Sequence, residues 1–248
     1  MTDILIGYGE VGQALHDVLG ERRSISIHDP PMGHAVVGKY AFEWMHIAFP
    51  HVSGALPSFL ETVRDYIRQY EPGRVLIHST VPVGTCAAIQ ALTEHPVVYS
   101  PIRGIHPHLA RYLREFPKWV ASSSEYDLKD AEALFHAAGM QTRRAPTTQC
   151  LEWMKLVETT EYGYRIALWQ EIEREAKAVP GADLTALKEW LFEKRKVYDG
   201  DRGLVPVMHG GFIGGHCVVP NWKLLSPIMT QQLYTWLMTS NELSREGR

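Results

Sequence analysis

Cys217 and Lys155 are the side chains of this sequence whose type and setting best suit covalent or acid–base chemistry. Cys217 ends the run Gly210-Gly211-Phe212-Ile213-Gly214-Gly215-His216, where small residues let a backbone come close to a ligand. A thiolate is the strongest ordinary protein nucleophile, and nearby positive charge favours it. His216 and Lys155 are candidates to supply that charge, although an inert buried cysteine in a glycine turn fits the same residues. Lys155 lies in Glu152-Trp153-Met154-Lys155-Leu156-Val157-Glu158-Thr159, where helical spacing puts Lys155, Glu158 and Thr159 on one face. Held near apolar surface, such a lysine stabilises a developing alkoxide or shuttles a proton; in water the same spacing makes a solvated Glu–Lys pair. A third segment is His78-Ser79-Thr80-Val81-Pro82-Val83-Gly84-Thr85, which follows an apolar, strand-like run. Ser79 and Thr80 there can face a cofactor, and Thr80 can donate to a substrate or hold a water. The bland alternative is a proline-shaped turn capped by Thr85.

Near the N-terminus stands Gly7-Tyr8-Gly9-Glu10-Val11-Gly12, a G-x-G-x-x-G between a strand-like run and a helical pattern. In that context the glycines have distinct roles. Gly7 permits the tight turn, Gly9 lets a pyrophosphate approach, and Gly12 allows close helix–strand packing. The helix that follows offers free N–H groups and a partial positive charge to phosphates. Tyr8, Glu10 and Val11 belong to the same loop. Asp29, 22 positions after Gly7, ends the second strand-like run, where a carboxylate accepts from ribose hydroxyls and favours NAD over NADP. Arg22 and Arg23 precede that run and are poorly placed for a 2′-phosphate. Pro50, ending a further strand, completes the expected cofactor-binding set.

These groups need a scaffold. Short apolar runs at Ile4–Ile6, Ile25–His28, Met45–Phe49, Val75–Ile77, Val97–Tyr99 and Trp119–Ala121 alternate with helical patterns at Val11–Leu19, Leu56–Tyr70 and Leu128–Ala138, and His34–Val37 is read as a further strand. Apolar rather than alternating runs suit a parallel sheet covered on both faces, so a doubly wound α/β Rossmann fold is expected over residues 1–145. From Pro146 the patterns are helical, at Thr148–Ala178, Leu184–Val197 and Thr230–Leu243, so a smaller all-helical domain is expected over residues 146–248.

Composition limits the function classes. The 248 residues are 45% hydrophobic and 21% charged with a formal net charge of −3, which gives no footprint for nucleic acid or an anionic membrane. No apolar run approaches the ~20 residues of a membrane span. The start, Met1-Thr2-Asp3, lacks a signal-peptide core, and Cys86, Cys150 and Cys217 are too few and scattered for a disulfide framework, so a cytoplasmic location is expected. Histidines His106, His108, His209 and His216 read as loop surface rather than a metal site.

The motifs together resemble the UDP-glucose/UDP-N-acetylmannosamine dehydrogenase family. Members are similar to this chain in G-x-G-x-V-G, S-T-V-P-x-G-T, K-L-x-E on a long helix and G-G-H-C, in this order over residues 3 to about 225. Ile166-Ala167 and Gln170-Glu171 resemble the family's continuation. The resemblance implies a double oxidation with NAD, in which Cys217 is the nucleophile, Lys155 the alkoxide stabiliser, and Thr80 a polar group beside the reacting carbon. It also implies a homodimer built on the long helix, where Trp153, Tyr162, Tyr164 and Trp169 would suit an interface. The chain departs from the pattern at four places. Ile102 in Pro101-Ile102-Arg103 stands where the family has a glutamate, Thr159 where it has an asparagine, and Asn221 is nearest to where it has an aspartate. The domain that binds the sugar's nucleotide has no counterpart here. A smaller substrate, or a partner chain that completes the site, is therefore expected. Two other readings stand beside the thiol route: a single-step hydroxy-acid or alcohol dehydrogenase, and an NAD-binding sensor or assembly protein without turnover.

Overall fold

A computed structural model describes residues 2–38, 41–51, 55–198, 208–215 and 217–247. Its chain divides into two compact units, Met1–Lys155 and Leu156–Arg248.

The first unit is an α/β sandwich. Its strands are β1 (Thr2–Ile6), β2 (Ser24–His28), β3 (Trp44–Ile47), β4 (Arg74–Ile77), β5 (Val97–Tyr99), β6 (Lys118–Ser122) and β7 (Thr142–Arg144). Among the described residues these seven form one sheet in the order β2-β1-β3-β4-β5-β6-β7. Neighbours from β2 through to β5 run parallel, whereas β6 is antiparallel to β5. Helices α1 (Glu10–Leu19), α2 (Leu56–Tyr70), α3 (Thr85–Thr93), α4 (Leu109–Glu115) and α5 (Glu125–Ala137) connect them.

Alternation along the strands explains why both faces are covered. Ile4, Ile6, Met45, Ile47, Val75, Ile77, Val97 and Tyr99 point to one face, against Phe59, Val63 and Ile67 of α2 and Ile89 of α3. Leu5, Trp44, Leu76, Val98 and Val120 point to the other, against Leu15 and Val18 of α1, Leu109 and Leu113 of α4, and Leu128 and Phe135 of α5. Each such side chain contributes ~1.5–3 kcal/mol on burial, so a strand apolar on both faces is stable only between two helical layers. This is the doubly wound Rossmann arrangement.

Two local expectations are corrected. His34–Val37 is not a strand. After Asp29 the chain makes a short 3-10 turn over Pro30–Met32, and Gly33 at φ +81° sends it back, so that His34 bridges antiparallel to Asp29. A parallel crossover needs a dozen or more residues, which this reversal does not supply. The sheet is also not wholly parallel, because the turn and α4 between β5 and β6 return the chain beside β5 in the opposite sense.

The second unit is helical among its described residues. It holds the later part of α6 (Thr148–Ala178), then α7 (Leu184–Tyr198), α8 (Val218–Leu225), a 3-10 turn at Ser226–Ile228 and α9 (Gln231–Arg245). Its core is Ala167, Ile213, Trp222 and Leu237. A Cβ on Gly163 would overlap the Trp222 indole, which explains why α6 carries a glycine there. Helix α8 went unread in the sequence because Pro220 interrupts its pattern.

Candidate active site

In the first unit the carboxyl ends of β1, β3, β4 and β5 share one edge of the sheet, where open α/β folds bind ligands. The switch point lies between β1 and β3, since β1 sends its connection to β2 on one side and has β3 on the other. The Gly7–Gly12 turn sits there. Gly7 has φ +94°, and a Cβ on it would lie 2.6 Å from the Phe49 backbone nitrogen. A side chain is thus excluded by conformation and by the approach of the β3 end. Gly12 would collide with the Gly7 carbonyl, whereas a Cβ on Gly9 meets nothing within 4 Å. The open position is the one at the start of α1, where a diphosphate would rest on free N–H groups.

Asp29 is drawn onto this turn. The Tyr8 backbone N–H donates to its Oδ2 at 2.6 Å, and the Tyr8 ring lies edge-on to His16 and His34. Tyr66 of α2 packs beside His28 and Phe49, and burial together with the Asp29 charge raises its pKa. Arg23 is committed elsewhere: it is paired with Asp3 and Glu43 at the amino side of the sheet. The residues present therefore fit a dinucleotide with a free ribose 2′-hydroxyl.

Of the other expected contacts, Pro50 is exposed at the end of the β3 loop, and the buried Ser79 hydroxyl donates to the Phe49 carbonyl at 2.6 Å. Ser79 thereby ties the β3 and β4 ends together. Thr80 follows it, half-buried. Thr85 is not the cap of its helix; its hydroxyl donates to the Pro82 carbonyl. The cap of α3 is Glu152, whose carboxylate accepts from the Gly84 and Cys86 N–H groups at 2.5 and 2.8 Å. Burial raises its pKa against those bonds, and the same burial, with the Glu152 charge, pushes the Cys86 thiol up.

One feature of the carboxyl edge was not read in the sequence. Lys118 opens the antiparallel β6 and so lies beside the end of β5. The residue is 4% exposed, and its Nζ donates to the Ser100 and Pro101 carbonyls at 2.6 and 2.8 Å, over the Phe135 ring. Burial lowers its pKa well below the usual range, and the Lys155 charge adds to that. Lys155, half-buried on α6, is therefore within electrostatic reach of this edge. The Ser100 carbonyl also takes the His78 Nδ1–H at 3.0 Å, so His78 Nε2 accepts from His46 Nδ1 at 3.1 Å. His46 Nε2 is 3.5 Å from Asp3 Oδ2. A buried polar run thus crosses the sheet from Asp3 to Lys118. Burial, then the Lys118 and His46 charges, lower the His78 pKa well below its usual value. Burial works against the Asp3 carboxylate, but bonds from His46 and Arg23 hold its pKa down. A polar residue inside an otherwise apolar strand, such as His46 or Asp3, was the available signal.

Ile102 is buried with Leu109 and Leu113, so this position is core packing and offers no carboxylate. His106, four residues later, has Nδ1 2.9 Å from Glu10 Oε2.

In the second unit Cys217 is exposed and directly precedes α8, at that helix's positive end. Asn221, buried one turn on, donates its backbone N–H to the Cys217 carbonyl. His216 lies outside the described residues. Thr159 is half-buried and Glu158 exposed. The glycines before Cys217 serve the protein as much as any ligand: a Cβ on Gly210 would lie 2.7 Å from the α6 backbone at Trp169 and Gln170. Asn241 holds Ile213 by both backbone groups, and Gln170 holds the Gly211 carbonyl. Among the described residues no group of three or more His, Cys, Asp or Glu is disposed to hold a metal, and no helix is long and apolar enough to cross a membrane.

Fold and turn together define a Rossmann-type α/β chain with a helical second unit. No protein-family model matches the chain, and no curated protein sequence matches it. Solved structures do. It is similar to the UDP-D-ManNAc dehydrogenase of Pyrococcus horikoshii at 17% identity and TM-score 0.76, over 98% of this chain and 69% of that one. It is similar to a UDP-glucose dehydrogenase of Pyrobaculum islandicum at 15% identity and TM-score 0.72, over 97% and 68%. It is also similar to the 3-hydroxyisobutyrate dehydrogenase of Mycobacterium tuberculosis at 12% identity and TM-score 0.67, over 99% and 92%. At these identities the likeness establishes the fold.

Proposed function

We propose that this chain is an NAD-dependent dehydrogenase that oxidises a CH–OH group of a small substrate, sugar-derived in the leading reading. The observation that carries the proposal is the β1–α1 turn, whose three glycines have three different environments and whose Tyr8 N–H is held by Asp29. The named structural neighbours are dehydrogenases of nucleotide sugars and of a hydroxy acid, which supports the same class.

Gly9 and the first turn of α1 take the diphosphate, Asp29 takes the ribose hydroxyls, and Pro50, Ser79 and Thr80 border the path to the sheet's carboxyl edge. Bound NAD supplies the hydride acceptor. Lys155 stabilises the alkoxide that forms as the substrate hydroxyl gives its proton to water, and transfer of the carbon's hydride to the bound NAD would leave an aldehyde or ketone. Thr80 orients the substrate oxygen, and Thr159 stands where the resemblance has an asparagine. In the thiol route, which the resemblance implies, the Cys217 thiol would add to the aldehyde to give a thiohemiacetal, a second NAD exchanged for the reduced one would accept the second hydride, and water would release the acid from the thioester and return the thiol.

A second reading, one oxidation with no covalent step, is favoured by Ile102, which places core packing where the resemblance calls for a carboxylate. The test is turnover with NAD on a panel of nucleotide sugars, small alcohols and hydroxy acids, followed by absorbance of the reduced cofactor. Lys155→Ala should lower kcat by ~10²- to 10⁴-fold, the usual worth of an acid–base group. Loss of all turnover on Cys217→Ala supports the thiol route, and unchanged turnover supports the single step. Binding of NAD without turnover on any substrate removes the enzyme and leaves a cofactor-binding sensor. We further propose a homodimer, with the partner chain available to complete the substrate site.

A further inference from the structure

Glu152 is a fully buried residue whose carboxyl bonds leave its own helix. It is 0% exposed, and its Oε2 and Oε1 accept from the Gly84 and Cys86 backbone N–H groups at the start of α3. Burying a carboxyl group is costly unless its bonds are made, and a local Ser, Thr, Asp or Asn could cap α3 without that cost. What a cap borrowed from α6 adds is a fixed spacing between two elements. Each of these carries a group of the proposed site. Thr80, half-buried, belongs to the loop from Ser79 to Gly84. The loop is pinned at its first residue, where the Ser79 hydroxyl donates to the Phe49 carbonyl, within it by the buried Val81, and at its end by Glu152. Lys155 lies one turn after Glu152 on the same face of α6, about 4.5 Å further along the axis. Leu151 and Met154 pack this turn into the sheet core, which fixes its depth. The two bonds of Glu152 are directional, and they fix where the turn stands against the loop.

We propose that Glu152 is a positioning residue: by tying the start of α3 to α6 it sets the separation of Thr80 from Lys155, and so how well one substrate oxygen meets both. This role rests on the reading of Thr80 and Lys155 as groups that face the substrate. It goes beyond that reading by giving control of the rate to a residue that is itself fully buried and acts only through its neighbours.

The test is a double-mutant cycle on kcat, run on the full chain with the substrate of the panel that it turns over, with circular dichroism to confirm folding at the assay temperature. Glu152→Ala should lower kcat roughly 10- to 100-fold, since a misplacement of about 1 Å can cost up to ~10²-fold. Glu152→Gln keeps one acceptor and should lose only about threefold. NAD affinity, measured by calorimetry, should stay within about twofold, because Gly9, the first turn of α1 and Asp29 hold the cofactor in the proposed complex. In the Lys155→Ala background, read under single turnover, Glu152→Ala should cost less than about twofold, because the spacing no longer matters once the ammonium is gone. If Glu152→Ala does not fold, Glu152→Gln carries the same cycle. A folded variant with wild-type kcat would overturn the proposal and leave Glu152 a cap that serves stability alone. An equal loss with and without Lys155, or a loss in NAD affinity in place of kcat, would overturn it as well. Each of these outcomes sinks only this inference. If the wild type turns over no substrate of the panel, the dehydrogenase reading fails, and the positioning role fails with it.

Discussion

At Asp29 a single carboxylate serves two partners, the Tyr8 N–H now and a ribose in the proposed complex. Asp29→Asn keeps an acceptor for Tyr8 but removes the charge. Hydrogen bonds to charged groups are worth ~1.5–3 kcal/mol and neutral ones ~0.5–1.5, so NAD affinity should fall about tenfold and the preference over NADP should narrow. Titrating both cofactors checks this, and unchanged affinity with unchanged preference would remove Asp29 from the site. The buried polar run gives a second residue-level prediction. His78 takes a proton below pH 6.5 only in the unfolded chain, so stability falls as the solution is acidified through that value. Asp3 adds a further loss, since its bonded carboxylate contributes stability above 3.8 that is lost as pH falls through its lower folded value. Lys118 acts with the same sign at higher pH. The unfolded chain keeps the lysine proton up to 10.5 while the folded chain releases it earlier, so stability climbs with pH. The buried Cys86 and Tyr99 pull the other way above pH 9, so the difference between wild type and Lys118→Met is the quantity to read. Urea midpoints from pH 7 to 10 should show the wild type gaining on the variant, and parallel curves would contradict the burial argument. The glycines and Asp29 were legible because a turn and a strand end fix their neighbours locally. Lys118 was not, because its partners lie 18 and 17 residues away, across a reversal that no local pattern announces.

Helices and strands were legible where apolar spacing is strong, as in α2 and β4, and obscure where direction or capping depends on distant chain. The segment around Trp119 reads as a strand from its residues, yet nothing in them says it runs antiparallel. That sense follows from the connection through α4, and it is what carries Lys118 to the ligand edge. The start of α3 shows the same dependence. Its own N-cap residue, Gly84, makes no side-chain cap bond, and the helix borrows the carboxylate of Glu152 from 66 residues away. This joins Ser79-Thr80 on one side and Lys155 on the other to a common anchor, for Leu151 and Met154 of the same α6 turn pack into the sheet core. Glu152→Ala should cost ~1–2 kcal/mol, the worth of a helix cap, read as a lower urea midpoint at unchanged slope. Glu152→Gln, which retains one acceptor, should lose less. Equal stability of both variants with wild type would show that α3 needs no cap from α6.

The helical unit raises a question that residue patterns alone do not answer, namely which aromatic side chains form its core. Trp153, Tyr162, Tyr164 and Trp169 read alike along α6, but Trp169 is buried, Tyr164 packs at the edge of the Trp222 core, and Trp153 and Tyr162 are exposed. Burial follows from α8 and α9, whose contact with α6 at Gly163 and Ala167 selects one face. Left outside are Tyr162 at 49% and Leu168 at 40% exposure on α6, and Trp190 at 72% and Phe192 at 53% on α7. Single exposed apolar residues are ordinary, but aromatic side chains held this open are what interface cores are enriched in. The proposed homodimer uses α6, so Tyr162 and Leu168 are the residues to charge. The wild type should sediment as a dimer of the 28.1 kDa chain at ~10 μM, where a standard interface of ~800 Å² per partner is well populated. Tyr162→Glu with Leu168→Glu should sediment as a monomer, while NAD titration of the same variant, which reports on the first unit, stays as in the wild type. A wild type that is monomeric from ~1 to 100 μM would dispose of the dimer. A variant still dimeric would move the interface off α6, with Trp190 and Phe192 of α7 the next residues to replace.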